Sequence, residues 1–497
     1  MRGERTKRYS GKHQRIGYNP AGWGAVCLCL FLMLICLDSA TAQQRWNELE
    51  YPPLNSFEKP DLDLFELDNG IRFYLLEDDE LPIVNITIMV RTGGVTVPEG
   101  MEGLEEVLSE VMRTGGTRST PAREMQEFLE DRAARLNVSF GFQSASVSLN
   151  FLKEDADVLI PLLAELVREP ALPEHHIELA KTRMQSMISR RNDDSGQIAR
   201  REFRRLIYGT NTVYGRIMEY SSLERIGRND LQQFHEQSFL GSNLMIGVSG
   251  DFDTLQMEKI LSETFSGLPA GGGESLWFPD ILDQPRSGIH FVDKRDVNQS
   301  YILLGHLGGM RDNPDYAALQ VMNQVLSGGF SGRLFQVVRS EKGLAYAVFG
   351  SYGSNFFYPG MFTAGVLTRS EATAEAIEAV LHEIRRLQRE MVSDAELKQT
   401  RDRFLNSLVF EYASRSQVLR ERMQFEYAGM DPDSFDYYVE EVQQVTSEDI
   451  LRVAREYLKP DQVAILVVGN GEEIGDRLDR FGEVRMIDIS IPEAITD

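Results

Sequence analysis

Glu106, Ser109 and Glu110 stand at i, i+3 and i+4 in a stretch whose apolar residues repeat with helical spacing, so their side chains leave one side of a helix together. Three polar groups converging in this way are the geometry in which a helix holds a metal ion beside a general base. The residue types argue against it. Two carboxylates hold a hard cation only loosely, because calcium takes six or more oxygens and zinc favours imidazole. The same residues suit a solvated acidic face, and glutamates early in a helix complement the positive end of its dipole. Beyond the first segment of the chain the histidines are His175, His176, His235, His290, His306 and His382. His175 and Glu178 have a His-x-x-Glu spacing, but Leu179 occupies the next ligand position. The residues therefore give no metal site on this chain.

The helix that carries the three polar residues runs from Gly103 to Thr117, with Leu104, Val107, Leu108, Val111 and Met112 as its core side. A strand with Val84, Ile86, Ile88 and Val90 alternating leads into it through Gly93 and Gly94. Val147, Leu149 and Phe151 alternate along a second strand, followed by a helix with Leu159, Leu162, Leu163 and Leu166 on one face. The same order recurs later, in a strand over Met361 to Thr368 and a helix with Ile377, Val380, Leu381 and Ile384. Short stretches repeat outright. Glu178-Leu-Ala-Lys-Thr-Arg183 returns as Glu396-Leu-Lys-Gln-Thr-Arg401, and Ile226 to Gly250 aligns without a gap on Val445 to Gly469. Each of the latter reads as a helix followed by a strand of nearly continuous apolar residues ending at glycine.

The chain is thus one α+β unit used twice in tandem, each unit a mixed or antiparallel sheet covered by helices on one face. Residues 43–266 form the first unit and 288–497 the second. Between them lies a linker, 267–287, that opens with Gly267-Leu-Pro-Ala-Gly-Gly-Gly273.

Six basic residues fall among the first fifteen, an apolar run follows from Ala25 to Leu37, and Ala40-Thr41-Ala42 comes next. This is the order of a secretory signal peptide over residues 1–42, so the mature protein is expected to be exported, periplasmic or extracellular. An uncleaved anchor is the alternative, although the apolar run is short for a span. All three cysteines (Cys27, Cys29 and Cys36) lie in that run, so cleavage after Ala42 removes every thiol and leaves neither a disulfide framework nor a cysteine nucleophile. The net charge is −24, and the basic leader makes the remainder more acidic still. A field of that sign repels phosphate backbones and anionic lipid, which excludes nucleic acid as a partner and gives no membrane attachment after signal cleavage.

The strand, the loop, the helix closed by Gly116-Thr117 and the tandem unit of this size together resemble the pitrilysin/insulinase family of inverted zincins, which includes the mitochondrial processing peptidases and their inactive relatives. The resemblance covers essentially the whole chain after the leader. It implies two homologous units enclosing a chamber. Active members carry Gly-Leu-x-His-x-x-Glu-His on this helix, two histidines for zinc and a glutamate as base. On that pattern Glu106 and Glu110 take the histidine positions and Ser109 takes the base position. The family's third ligand, a glutamate on a later helix, falls at Met187. The resemblance therefore implies a degenerate motif with no catalytic group and no cofactor on this chain alone.

The second unit departs less. In the family an arginine and a tyrosine seven residues apart reach substrate carbonyl oxygen, and the segment Gly328 to Tyr346 reproduces that signature with Arg339 and Tyr346. A guanidinium and a phenol both donate into a developing oxyanion. Leu334, Phe335, Val337 and Val338 are expected to form the core side of the helix that carries Arg339, and Gly343 to end it. A first unit without ligands and a second with the arginine and tyrosine resembles the non-catalytic, substrate-binding or regulatory subunit of a heterodimeric zinc endopeptidase acting on peptides. Its partner would be a His-x-x-Glu-His-bearing subunit of the same family, carrying the zinc. The alternatives are a stand-alone peptide-binding or scaffold protein of the same fold and, last, an active zinc peptidase with atypical ligands.

Overall fold

A computed structural model describes residues 61–281, 287–411 and 414–493, the side chains of 409–411 apart. The segment read as a signal peptide and all three cysteines lie outside the described residues, as does part of the expected linker.

The first half contributes strands β1 (Asp63–Glu66), β2 (Arg72–Glu77), β3 (Ile83–Val90), β4 (Arg135–Phe140), β5 (Ala145–Leu152) and β6 (Leu244–Gly250). They form one sheet in the order β1-β2-β6-β3-β5-β4, antiparallel except for the parallel β2–β6 pair. Its helices include α1 (Leu104–Thr114), α2 (Ala156–Arg168), α3 (Glu174–Ser189), α4 (Ser195–Tyr208) and α5 (Arg228–Ser238). The five apolar residues expected on the core side of α1 are all buried, and so are Val84, Ile86, Ile88 and Val90 of β3.

The second half repeats the plan. Strands β7 (Gly288–Asp293), β8 (Gln299–Leu307), β10 (Ala347–Tyr352), β12 (Met361–Arg369), β13 (Ala464–Gly469) and β14 (Arg485–Met486) form the order β10-β12-β8-β13-β7-β14. The short strands β9 (Gly309–Met310) and β11 (Ser354–Asn355) pair with each other. Read from its far end, the second sheet has the order of the first, down to the parallel pair, β13 with β7, at the equivalent place. The two sheets differ at one edge, where a strand preceding β2 is replaced by a strand from the far end of the chain. Helices α6 (Tyr316–Ser327), α7 (Thr373–Arg389), α8 (Asp394–Glu411), α9 (Arg415–Tyr427) and α10 (Ser447–Tyr457) complete this half. The stretches that repeat in sequence take the same places: α3 matches α8, and α5 with β6 matches α10 with β13.

The halves also exchange helices. On α4, Ile198, Ala199, Phe203 and Ile207 pack on the second sheet against Leu303, Leu466 and Val468. On α9, Leu419, Met423 and Tyr427 pack on the first sheet against Tyr74, Leu76 and Met245. Every residue of β6 and β13 is buried, which explains why these strands read as continuous apolar runs: each sheet has its own half's helices on one face and a borrowed helix on the other. Gly247 permits the approach, because a Cβ there would lie 2.5 Å from the Met423 sulfur.

The linker is tied down as well. Gly273 N–H donates to Asn243 Oδ1 at 2.7 Å, and the Tyr214 hydroxyl donates to the Pro279 carbonyl at 2.7 Å. Phe278 stacks on Phe357 of the second half, with ring centroids 5.0 Å apart. Among the described residues no helix is long and apolar enough to cross a membrane.

Candidate functional site

Helix α1 starts at Gly103, whose φ of +105° suits glycine, and a Cβ there would meet the Met218 sulfur at 2.6 Å. With its apolar side sunk in the core, α1 turns Glu106, Ser109 and Glu110 away from the core. Glu106 is exposed, whereas Ser109 and Glu110 are half-buried. The Ser109 hydroxyl donates to the Val138 carbonyl of edge strand β4 at 2.8 Å, so the residue at the base position binds the helix to the sheet. Glu110 Oε1 accepts from Arg113 one turn along α1 at 2.7 Å and from Arg183 on α3 at 3.1 Å. Met187, one turn beyond Arg183, is 56% exposed and presents a thioether.

These residues do not fit zinc. One carboxylate is already neutralised by two guanidinium groups, and the serine is committed to a backbone carbonyl. His176, in the first turn of α3, lies with Nδ1 3.2 Å from Thr114 Oγ1. Among the described residues no three or more His, Cys, Asp or Glu side chains are arranged to hold a metal.

In the second half, Leu334–Glu341 forms a π-helix, closed by Lys342 N–H donating to the Val337 carbonyl at 3.0 Å. The expected four-residue core side narrows to Leu334 and Val338, while Phe335 and Val337 are only half-buried, because the wider turn moves successive residues off the helical register. Gly343 ends the segment with φ of +62°. Arg339 is exposed, and its guanidinium carbon lies 4.8 Å from the centroid of Phe335, which itself meets Phe330 edge-on at 4.9 Å. Tyr346 is 72% exposed, and its N–H donates to the Leu367 carbonyl at 2.8 Å. No hydrogen bond joins Arg339 to Tyr346, nor either of them to the polar face of α1, among the described residues.

Two residues escape the sequence reading. Arg333, buried at the head of the π-helix, makes a two-pronged contact with Glu396 of α8, Nε and Nη2 each donating at 2.8 Å. In the repeat Glu396 matches Glu178, an exposed residue of α3, so the two-pronged contact with Arg333 belongs to the second half. Glu105 is the other. It belongs to the first turn of α1, yet its Oε2 is buried without a hydrogen-bond partner. Burial, and then the adjacent Glu106 carboxylate, hold the Glu105 carboxyl well above the usual carboxylate range. Helical spacing alone places it on the flank of the apolar side, where nothing distinguishes it from a solvated residue.

Comparison with known proteins follows the same division. Residues 72–219 match the family model described as insulinase (peptidase family M16), and residues 225–404 match the one described as peptidase M16 inactive domain. Over 397 residues the chain is 23% identical to the non-peptidase homolog YmxG of Helicobacter pylori, covering 79% of this chain and 90% of that one. Over 408 residues it is 22% identical to the uncharacterized zinc protease YmxG of Bacillus subtilis, covering 82% and 98%. Its fold superposes on the peptidase M16 inactive domain from Pseudomonas fluorescens with a TM-score of 0.74 and 21% identity, covering 83% of this chain and 98% of that one.

Proposed function

The chain belongs to the insulinase (M16) family of peptidases, and from that premise we propose that it is the non-catalytic, substrate-binding subunit of a two-chain zinc endopeptidase acting on peptides. The observation that carries this reading is the capture of Glu110 by Arg113 and Arg183, at 2.7 and 3.1 Å, where a ligand would have to be free. Similarity to a protein named as a non-peptidase homolog supports it.

Arg339 and Tyr346 are the groups this subunit would offer in trans. Both are exposed on a segment whose backbone is fixed at either end, by Arg333 with Glu396 and by Tyr346 with Leu367. Donors held in place beforehand need no rearrangement when negative charge develops on a substrate carbonyl. The partner, a subunit bearing His-x-x-Glu-His, would supply zinc and the base. Both chains would meet outside the cytoplasm, given the leader at the N-terminus of this one.

The test is reconstitution. An exported His-x-x-Glu-His protein encoded beside this gene is purified alone and together with the chain, and cleavage of an unfolded peptide is measured. The mixture should cleave and this chain alone should not. Equal cleavage by the partner with and without this chain would overturn the reading. The stand-alone scaffold reading has one observation in its favour: Arg339 lies over Phe335 rather than beside Tyr346. That outcome of the reconstitution would select it.

A further inference from the structure

Beside the polar face of α1, and sharing Glu106 with it, lies a cavity of about 240 Å³. Its walls are apolar over Val97, Phe142, Tyr214 and Met218, and Glu105 and Glu106 enter it from the first turn of the helix. Four observations set this place apart from an ordinary acidic surface. Glu105 Oε2 is closed off from solvent without a hydrogen-bond partner, a costly state for a carboxyl that solvent or a neighbour would otherwise satisfy. Gly94 sits against its other oxygen, and a Cβ there would stand 3.1 Å from Glu105 Oε1 and 3.3 Å from the Phe142 ring, so the wall is cut back at that point. Three arginines also line the cavity, and two of them are taken. Arg216 pairs with Glu102 at 3.3 Å, and Arg201 donates to Glu202, the Arg191 carbonyl and Asn192. Finally, the carboxylates are not arranged with further ligands for a metal among the described residues, which leaves an organic cation as the matching charge.

We infer that this cavity receives a primary ammonium group carried on an apolar stem, with Glu105 and Glu106 as its counter-charges and Phe142, Tyr214 and Met218 along the stem. A turn of the Glu105 carboxylate about its last bond, a soft torsion, presents Oε2 to the incoming donor. The ammonium has three hydrogens to give, and two carboxylates accept them at close range in a half-buried place, where such bonds are strongest. Two parts of a peptide have this chemistry, a lysine side chain and a free N-terminus. The site does not rest on any partner subunit, nor on Arg339 or Tyr346. Arg204, which also lines the cavity and has no ion pair among the described residues, weakens the attraction and supplies a control.

The experiment uses the full chain at pH 8 and follows thermal unfolding against rising concentrations of four probes. Nα-acetyl-lysine amide offers only the side-chain amine, leucine amide only the α-amine, Nα-acetyl-norleucine amide neither, and Nα-acetyl-leucine a carboxylate instead. A saturable rise in Tm of about 2–4 °C with one of the two amines, and none with the neutral amide, is the expected result. Which amine acts identifies the source. Glu105→Gln should abolish the rise while unfolding at or above the wild-type temperature without probe, because it removes a buried carboxyl with one unsatisfied oxygen and keeps the shape. Arg204→Gln should lower the concentration of amine required. The inference is overturned by an absent rise with both amines, by a rise that survives in Glu105→Gln, or by a rise with Nα-acetyl-leucine that Arg204→Gln abolishes.

Discussion

The Arg183 guanidinium on α3 donates to the Glu110 carboxylate on α1 at 3.1 Å, so an ion pair joins the helix of the degenerate motif to the helix that carries Met187. The cross-link needs no cofactor. A chelator should leave the Tm of the purified chain unchanged. Arg183→Ala should cost only about 0.2–1 kcal/mol in urea unfolding, since the arginine is largely exposed. A drop in Tm on chelation would show a metal holding the fold together.

Restoring the motif should prove harder than the alignment implies. Glu106→His, Ser109→Glu and Glu110→His together remove the Ser109 bond to Val138 and release Arg113 and Arg183, so the triple variant should lose about 1–2 kcal/mol of stability. Adding Met187→Glu should raise zinc affinity above that of the triple variant. Arg183→Gln should raise it further by removing a like charge beside the ion. Equal zinc affinity in the triple and quadruple variants, measured by competition with a chelating dye, would mean that the third ligand position has been misassigned.

Arg339→Ala and Tyr346→Phe should leave Tm and metal content unchanged, because neither side chain belongs to a core. In the reconstituted pair each should lower turnover by about 10²–10³. The double variant should lose less than the product of the two, as donors to one oxygen act together. Wild-type turnover in both single variants would make the pair structural.

Arg333→Met acts on the fold instead. It leaves Glu396 without its two-pronged partner, and a loss of about 1–3 kcal/mol follows from the unpaired carboxylate. Glu396→Gln in the same chain should recover part of that loss, a coupling that a double-mutant cycle measures directly. Independent, additive losses would show that the contact contributes nothing.

His235 provides a pH signature. Its ring is buried on Phe239, with Nε2 2.9 Å from the Val167 carbonyl, and burial lowers its pKa to about 4. The unfolded chain, with a histidine near about 6.5, binds that proton more readily. Between about 6.5 and about 4 stability therefore falls as pH falls, by up to one proton's worth of slope. His235→Gln keeps a donor toward Val167 and should flatten the dependence of Tm on pH in this window. An unaltered slope would show that the carboxylates alone account for acid sensitivity.

How much of this was legible beforehand depends on what each residue touches. The helix faces, the alternating strands and the duplication follow from spacing, and Leu104 to Met112 fall where periodicity puts them. The degenerate motif was visible because it is a matter of residue type. What replaces the metal was not, since Arg183 and Glu110 are 73 residues apart and meet only through the packing of α3 on α1. The π-helix was hidden for a related reason: one extra residue per turn leaves the composition unchanged and shifts only which side chains are buried. Glu105 shows the same limit from the other side, a residue of ordinary type in an ordinary place made unusual by a cavity wall from distant loops.

The exchange of α4 and α9 bears on how the chain is made. Strands β2 and β6 cannot cover their outer face until the polypeptide has been synthesised beyond Tyr427, because Leu419 and Met423 are the residues that close it. A chain stopped after the linker has every strand of the first sheet, yet exposes Tyr74, Leu76 and Met245 to water, and in that state it is prone to association. Covering the outer face of the first sheet therefore waits on the second half of the chain. With α4 and α9 each closing the other half's sheet, the two halves are poor candidates for separate expression.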